Sequence, residues 1–253
     1  MSGIPLTPAL APRSGKSEGR KRGLSPFSAD AWIRGRPRRP SAAADAPARR
    51  RGRKIGLLGG SFNPAHEGHR HVSRVALKRL GLDEVWWLVS PQNPLKPRAG
   101  MAALGKRLRE AAAFAGDRRI RVSDFEAKAG LRYTAETLAA LRRRFPRLRF
   151  VWLMGADNLL QIPAWKDWQR IFNAVPVAVF TRPSYSYRAL AAKAAQRFAA
   201  ARIDERASRT LPGRAAPAWV FLGGRPSPVS ATAIRRRRSG RPAAKRTSAT
   251  TKG

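Results

Sequence analysis

Strand-like and helix-like segments alternate from residue 54 to residue 222, and this alternation constrains the fold more than any other feature of the chain. Short apolar runs predict strands, and apolar residues that recur every three or four positions predict helices. The predicted strands are 54–59, 84–89, 119–125, 149–154, 175–180 and 218–222. The predicted helices are 67–80, 101–115, 134–145 and 187–202. Repeated strand and helix units indicate an α/β fold, a parallel sheet with helices on both faces.

Positive charge is spread unevenly over the 253 residues, whose formal net charge is +37. Residues 1–53 carry +10 and seven prolines, and residues 235–253 carry +8 without any acidic residue. Neither end has enough apolar surface to form a core. We therefore expect a disordered Arg/Pro-rich extension over 1–53, a folded domain over 54–236 and a disordered basic tail over 237–253.

The basic ends have three possible interpretations. They are solvated tails without a function, or they contact nucleic acid non-specifically by counterion release, or residues 1–53 are a targeting sequence. The net +19 that remains on residues 54–234 would be explained in part by a substrate that carries several phosphates. We expect no membrane span and no secretory signal, because the long apolar runs that each requires are missing, and we expect the protein in the cytoplasm. The lack of cysteine excludes disulfides, thiolate zinc sites and cysteine nucleophiles.

The loop after the first predicted strand is the main candidate site, because open parallel sheets bind ligands beyond the carboxyl ends of their strands. This loop contains His66 and His69, two of the three histidines of the chain, and His71 follows closely. Such clustering favours a functional site over separate structural histidines. The loop matches neither a Walker A motif nor a dinucleotide fingerprint. Zinc binding by the pair is a weaker alternative, since the histidines are three rather than four positions apart.

The residue types of this loop indicate a phosphate-binding cradle. Gly59 and Gly60 let the backbone approach a ligand closely, and Pro64 fixes the turn. The helix that begins near residue 67 directs its free N–H groups and its positive dipole end at the loop. His66 and His69 can both donate hydrogen bonds to one polyphosphate and stabilise charge that develops there.

Two segments of the chain resemble the signatures of the His-x-Gly-His nucleotidyltransferases. They are Gly59-x-Ser61-Phe62-Asn63-Pro64-x-His66-x-Gly68-His69 and Ser230-Ala231-Thr232-Ala233-Ile234-Arg235. Within that superfamily, residues 54–236 resemble the bacterial nicotinate-nucleotide adenylyltransferases, through segments 91–96, 133–138 and 155–168. The resemblance implies a Rossmann-like nucleotidyltransferase fold. It also implies transfer of the adenylyl group of ATP to nicotinate mononucleotide, which yields nicotinate adenine dinucleotide and pyrophosphate, with Mg²⁺ bound to ATP and no dedicated protein ligand for the metal.

The resemblance also assigns roles to individual residues. The implied ATP site comprises Gly59, Gly60, Ser61, Phe62, Asn63, His66, His69, Lys96, Asp157, Arg182, Ser230, Thr232 and Arg235. The candidate catalytic residues among them are His66, His69 and Arg235. The implied nicotinate mononucleotide site comprises Asn93, Thr134 and Trp165.

Several of these residues have structural alternatives. Ser230, Thr232 and Asp157 are alternatively helix N-caps, Lys96 a solvated lysine, and Trp165 a core or surface residue. The chain also departs from the family's pattern at Lys166, where an aromatic residue is common. It departs again at Ala231 and Ala233, where polar residues are common.

The reaction fits the residue types, because a phosphate monoester has a second pKa of about 6 and is already largely ionised near pH 7. No general base is needed, and catalysis calls for cations and hydrogen-bond donors around the phosphates. Two alternatives stay open. One is a related adenylyltransferase with another phosphate acceptor, such as nicotinamide mononucleotide, and the other is a basic nucleic-acid-binding protein with a degenerate nucleotide pocket.

Overall fold

The computed structural model describes residues 52–91, 100–181 and 186–223, together with the backbone of Ile33–Arg34. The strands are β1 (Ile33–Arg34), β2 (Lys54–Gly60), β3 (Glu84–Val89), β4 (Ile120–Ser123), β5 (Arg149–Gly155), β6 (Val177–Phe180), β7 (Arg202–Ile203) and β8 (Trp219–Leu222). The α-helices are α1 (Glu67–Arg79), α2 (Leu104–Ala115), α3 (Phe125–Lys128), α4 (Thr134–Arg144), α5 (Ala156–Gln161), α6 (Trp168–Ala174), α7 (Ser186–Leu190) and α8 (Lys193–Arg197). Short 3₁₀ helices cover Ile162–Ala164, Ala199–Ala201 and Glu205–Gly213.

The strands form one sheet in the order β1-β4-β3-β2-β5-β6-β8-β7. Every neighbouring pair from β4 to β7 is parallel. The short strand β1 pairs antiparallel with β4 at the edge, with Ile33 opposite Ser123. The parallel α/β sheet predicted from the alternation of segments is confirmed.

Helices cover both faces of this sheet because successive side chains of a strand point in opposite directions. In β2, Leu57 packs in one apolar cluster with Leu138 of α4, and Leu58 packs in the other cluster with Val72 of α1. All six residues of β3 are buried, which is the pattern of a central strand between two layers. Each buried apolar side chain contributes about 1.5–3 kcal/mol, so both layers hold the sheet in place.

The structure corrects two predicted elements. Phe125, predicted as the end of a strand, begins helix α3 instead, because its ring packs under the sheet with the α4 cluster. The predicted helix 187–202 is interrupted, and the chain is extended at Ala192. A continuous helix turns about 100° per residue and would put Ala189 and Phe198 on opposite faces. The interruption lets both side chains enter the same apolar cluster.

The strand order reverses beside β2. The chain runs from β2 outward to β3 and β4, then crosses back to β5 on the other side of β2 and continues to β6 and β8. Ligands of open α/β sheets bind in the crevice that such a reversal leaves at the carboxyl ends of the strands. In this protein the crevice lies between the ends of β2 and β5, next to the glycines of the predicted phosphate loop.

None of the helices in the described ranges is both long enough and apolar enough to cross a membrane. Most of the extension 1–53 and all of the tail 237–253 lie outside the described residues. The domain boundaries at residues 53 and 236 therefore stay predictions.

Candidate active site

A cavity of about 360 Å³ opens at the crevice between β2 and β5. Five residues of the predicted site line it, namely Gly59, Gly60, Ser61, Thr134 and Trp165. They come from three separate parts of the sequence: the end of β2, the first position of α4 and the segment before α6. The fold therefore brings predicted ATP residues and predicted acceptor residues to one place.

Gly59 is a glycine because an aromatic ring lies against its backbone. A Cβ atom at this position would lie 2.5 Å from Cη2 of Trp152, which is buried in β5 and also lines the cavity. Real Cβ atoms do not approach a ring that closely, so a side chain at Gly59 would displace Trp152. Glycine at this position therefore leaves Trp152 in place as part of the cavity wall.

The two histidines of the loop form a fixed pair at the start of α1. His66 is the N-cap of α1, and its Nδ1 accepts a hydrogen bond from Gly68 N at 3.1 Å. Nδ1 of His69 accepts from His66 N at 3.2 Å, and the two ring centroids are 3.9 Å apart. A neutral imidazole has one accepting nitrogen and one N–H. Since both Nδ1 atoms accept, the hydrogen-bond pattern assigns the proton to Nε2 in both rings.

Phe62 supports this histidine pair from beneath. Its ring is buried, 4.5 Å from the ring of His69 and 5.1 Å from the ring of Trp87. Its backbone has a φ of 45°, a left-handed conformation that costs a non-glycine residue about 1–2 kcal/mol. The side chain of Phe62 is thus part of the core, and its predicted contact with ATP stays a prediction.

Asn63 joins the loop to the segment before α2. Its Nδ2 donates to Gly100 O at 2.9 Å, and its Oδ1 accepts from Ala102 N at 3.3 Å. Both ends of the amide therefore brace the loop. The predicted contact of Asn63 with ATP stays a prediction.

Thr134 and Trp165 line the cavity together with their chain neighbours Tyr133 and Lys166. Trp165 is half-buried and packs on the larger apolar cluster. Lys166 Nζ lies 4.4 Å from the centroid of the Tyr133 ring and 3.6 Å from Glu136 Oε1. The departure from the family's pattern at Lys166 thus places a cation over a tyrosine ring at the rim of the cavity.

Asp157 is the second residue of α5, and the N-cap of that helix is Gly155. The alternative that Asp157 is an N-cap is therefore wrong, and its predicted place near the ribose of ATP stays a prediction. Its neighbour Asn158 lines the cavity. The other predicted site residues lie outside the described residues: Asn93, Lys96, Arg182, Ser230, Thr232 and Arg235.

A buried carboxyl group in the cavity, that of Glu126 in α3, was not predicted from the sequence. Only 6% of Glu126 is exposed, and Oε1 accepts a hydrogen bond from the Thr137 hydroxyl at 3.1 Å. Burial raises the pKa of this carboxyl to about 7, against the opposing effect of hydrogen bonds from Thr137 and Ser90. No local pattern marks Glu126 in the sequence, because its burial depends on α4 and on the loop after β3.

Arg107 was not predicted from the sequence either. It is 1% exposed and lies against the loops that follow β2 and β3. A signal for it exists, because Leu104, Leu108 and Ala111 form an apolar stripe at helical spacing and Arg107 falls within that stripe. A charged residue on the buried face of a helix needs hydrogen-bond partners, which for Arg107 are backbone carbonyl groups of the site.

Comparison with known proteins agrees with this geometry. The chain belongs to the cytidylyltransferase-like family, whose profile matches residues 57–237. It is 56% identical over 186 residues to a probable nicotinate-nucleotide adenylyltransferase of Parvibaculum lavamentivorans, across 74% of this chain and 92% of that relative. A relative of the same description from Methylorubrum extorquens is 54% identical over 184 residues, across 73% of this chain and all of its own length. Within its family, the chain thus belongs with the nicotinate-nucleotide adenylyltransferases.

Solved structures support the fold. The chain resembles nicotinic acid mononucleotide adenylyltransferase of Plasmodium falciparum, in a complex with APC and in a complex with NaAD. Each match has a TM-score of 0.54 and 16% identity and covers 73% of this chain and 83% of the other. At this identity the likeness shows the shared fold, and the predicted nucleotidyltransferase fold is confirmed.

Proposed function

We propose that the protein transfers the adenylyl group of ATP to nicotinate mononucleotide, and that the products are nicotinate adenine dinucleotide and pyrophosphate. One observation carries the proposal: the cavity at the end of β2 is lined both by the phosphate loop and by Thr134 and Trp165. A donor site for ATP and an acceptor site thus share one opening. The high identity to probable nicotinate-nucleotide adenylyltransferases supports the same reaction.

In this reaction, a phosphate oxygen of nicotinate mononucleotide attacks the α-phosphorus of ATP. A new P–O bond forms, the bond from the α-phosphorus to the bridging oxygen of the β-phosphate breaks, and pyrophosphate leaves with the electron pair. The acceptor phosphate is already ionised near pH 7, so none of the cavity residues has to remove a proton. The protein's task is to align two anions and to stabilise the leaving charge.

His66 and His69 suit that task. Nδ1 of each ring accepts a backbone N–H, so a neutral ring carries its proton on Nε2. We propose that this Nε2–H donates to a phosphate oxygen. The free N–H groups at the start of α1 add partial positive charge at the same point. We assign transition-state stabilisation chiefly to His69, with Gly60 and Ser61 forming the backbone wall of the phosphate site.

The acceptor half of the cavity suits an acidic pyridine. Arg132 and Lys166 are its positively charged lining residues among those described, and Trp165 offers an aromatic face for stacking. Glu126 would repel a carboxylate if it were ionised. Burial raises the pKa of this carboxyl to about 7, so near pH 7 it is ionised in only part of the molecules and repels an anion less than a fully ionised carboxylate. The acid nucleotide is thus favoured over the amide.

Mg²⁺ enters this scheme as part of the MgATP substrate. Within the described ranges, no group of three or more His, Cys, Asp or Glu side chains is placed to hold a metal ion. In a nucleotidyl transfer the phosphate oxygens of ATP would bind Mg²⁺, and the metal would neutralise the charge that develops on them. A chelator should abolish turnover, and added Mg²⁺ should restore it.

A pyrophosphate-release assay with purified protein and MgATP tests the proposal. Nicotinate mononucleotide should support turnover, and nicotinamide mononucleotide should support much less, by at least tenfold in kcat/KM. The dinucleotide product should be identified by mass spectrometry, so that ATP hydrolysis is not mistaken for transfer. Absence of the dinucleotide with both acceptors would overturn the proposal, and a preference for the amide would overturn the assignment of an acidic acceptor.

A further inference from the structure

Arg107 connects three backbone segments beneath the phosphate loop. Its Nη1 donates to Ser61 O at 2.7 Å and to Ser90 O at 2.8 Å. Nη2 donates to Pro91 O at 3.0 Å, and Nε donates to Ala102 O at 2.8 Å. One side chain thus joins the loop after β2, the end of β3 and the segment before α2.

Two of these partners belong to the wall of the cavity. Ser61 and Ser90 both line it, and Ser90 N donates to Gly60 O at 2.9 Å. Asn63 binds the same segment before α2, at Gly100 and Ala102. The relative positions of the β2 loop and the β3 loop therefore depend on a network with Arg107 at its centre.

The chemistry of this contact requires an arginine. A planar guanidinium presents its donors in a fixed fork and can reach several carbonyl groups at once, whereas an ammonium group cannot reproduce that geometry. Among the described residues, Arg107 has no ion pair, so a positive charge is buried without a carboxylate partner. Such a charge is costly to bury. Arg107 lies under the proposed phosphate loop, so an anion bound above this loop would be attracted to the buried positive charge.

We propose that Arg107 is a positioning residue for the triphosphate of ATP. Arg107 fixes the relative positions of Ser61 and Ser90 and places positive charge beneath them. This inference rests on the proposed function. It assigns Arg107 no contact with the substrate, since the side chain does not line the cavity. Its effect passes through the carbonyl groups of the two loops.

The test compares Arg107→Lys and Arg107→Gln with the matched variants Arg109→Lys and Arg109→Gln. Arg109 lies on the same helix and is exposed. For each full-length protein, equilibrium binding of MgATP is measured without acceptor, and thermal unfolding is recorded. Values of kcat and of KM for each substrate follow from the transfer assay.

Both Arg107 variants should weaken MgATP binding and raise its KM by roughly 10- to 100-fold, since small displacements of a site carry costs of this size. The KM of the acceptor should change by less than about threefold. The lysine variant should keep more affinity than the glutamine variant because it retains the charge. The Arg109 variants should match the wild type.

A purely structural role would lower the thermal midpoint and the active fraction but leave both KM values and the ATP affinity of the folded fraction unchanged, and that result would overturn the proposal. Equal increases in the KM of both substrates would overturn it as well. If the wild type binds MgATP but transfers nothing, the proposed function fails while the binding comparison still decides the role of Arg107. If the wild type does not bind MgATP, both inferences fail.

Discussion

Replacement of Glu126 by glutamine should change how the stability of the protein depends on pH. The carboxyl is 6% exposed and sits among the Thr137 hydroxyl, the Ser90 hydroxyl and the aromatic wall of the cavity. Burial disfavours the charged form and raises the pKa from 4.5 to about 7. Glutamine has nearly the same shape and can still accept from Thr137, but it does not titrate in this range.

The direction in which stability changes with pH follows from which state, folded or unfolded, binds more protons. Between pH 4.5 and pH 7 the folded protein keeps the proton on Glu126, whereas the unfolded chain has released it. The stabilisation from this group is fully present below about pH 4.5 and is lost as the pH rises through about 7. The difference between these pKa values corresponds to roughly 3 kcal/mol as an upper bound. The stability of Glu126→Gln relative to the wild type should therefore increase by up to about 3 kcal/mol from pH 4.5 to pH 8.

Urea unfolding followed by tryptophan fluorescence at several pH values from 4.5 to 8 measures this difference. Glu110→Gln is the matched control, because the Glu110 side chain is 40% exposed on α2. Its difference from the wild type should be small throughout. A difference between Glu126→Gln and the wild type that stays constant with pH would refute the reasoning, because it would mean that the pKa of Glu126 is the same in the folded and unfolded protein.

Three further predictions concern catalysis. His69→Ala should lower kcat by roughly 10² to 10³, with a smaller effect on ATP binding; His71→Ala, at an exposed position of the same helix, is the control, and near-normal turnover of folded His69→Ala would exclude the role. Trp165→Ala should raise the KM of nicotinate mononucleotide far more than the KM of ATP, and equal increases would mark the residue as structural. Deletion of residues 1–50 removes the edge strand β1 and should leave kcat and both KM values within about twofold; a large loss in a folded deletion would show that the extension contributes to the site.

The local structure of the loop after β2 was predictable because its residues are contiguous. A strand, two glycines and a histidine pair at the start of a helix follow one another within 54–69, and local geometry keeps neighbours in sequence close in space. The helix start also fixes the orientation of both imidazoles, through hydrogen bonds between positions 66, 68 and 69. Such an arrangement can be predicted from the sequence because it needs few contacts between residues that are distant in the chain.

The supporting residues were less predictable because their roles arise from distant contacts. Glu126 acquires its raised pKa from burial and meets Thr137 across a turn and the start of α4. The partners of Arg107 lie up to 46 positions away. Periodicity could have flagged Arg107 as a charge on an apolar stripe, but its carbonyl partners only become known once β2, β3 and α2 are packed together.

Positively charged residues of the folded domain lie both near the cavity and far from it. Only those near the cavity could interact with the proposed substrate. Arg132 and Lys166 line the cavity, and Arg107 lies beneath it. The exposed arginines 142–144 lie at the far end of α4, whose first residue, Thr134, lines the cavity. At a rise of about 1.5 Å per residue they lie roughly 12–15 Å along the helix from the site, beyond a screening length of about 8 Å at physiological ionic strength. The proposed polyphosphate substrate would account for the positive charge at the cavity, and the exposed arginines 142–144 need another explanation.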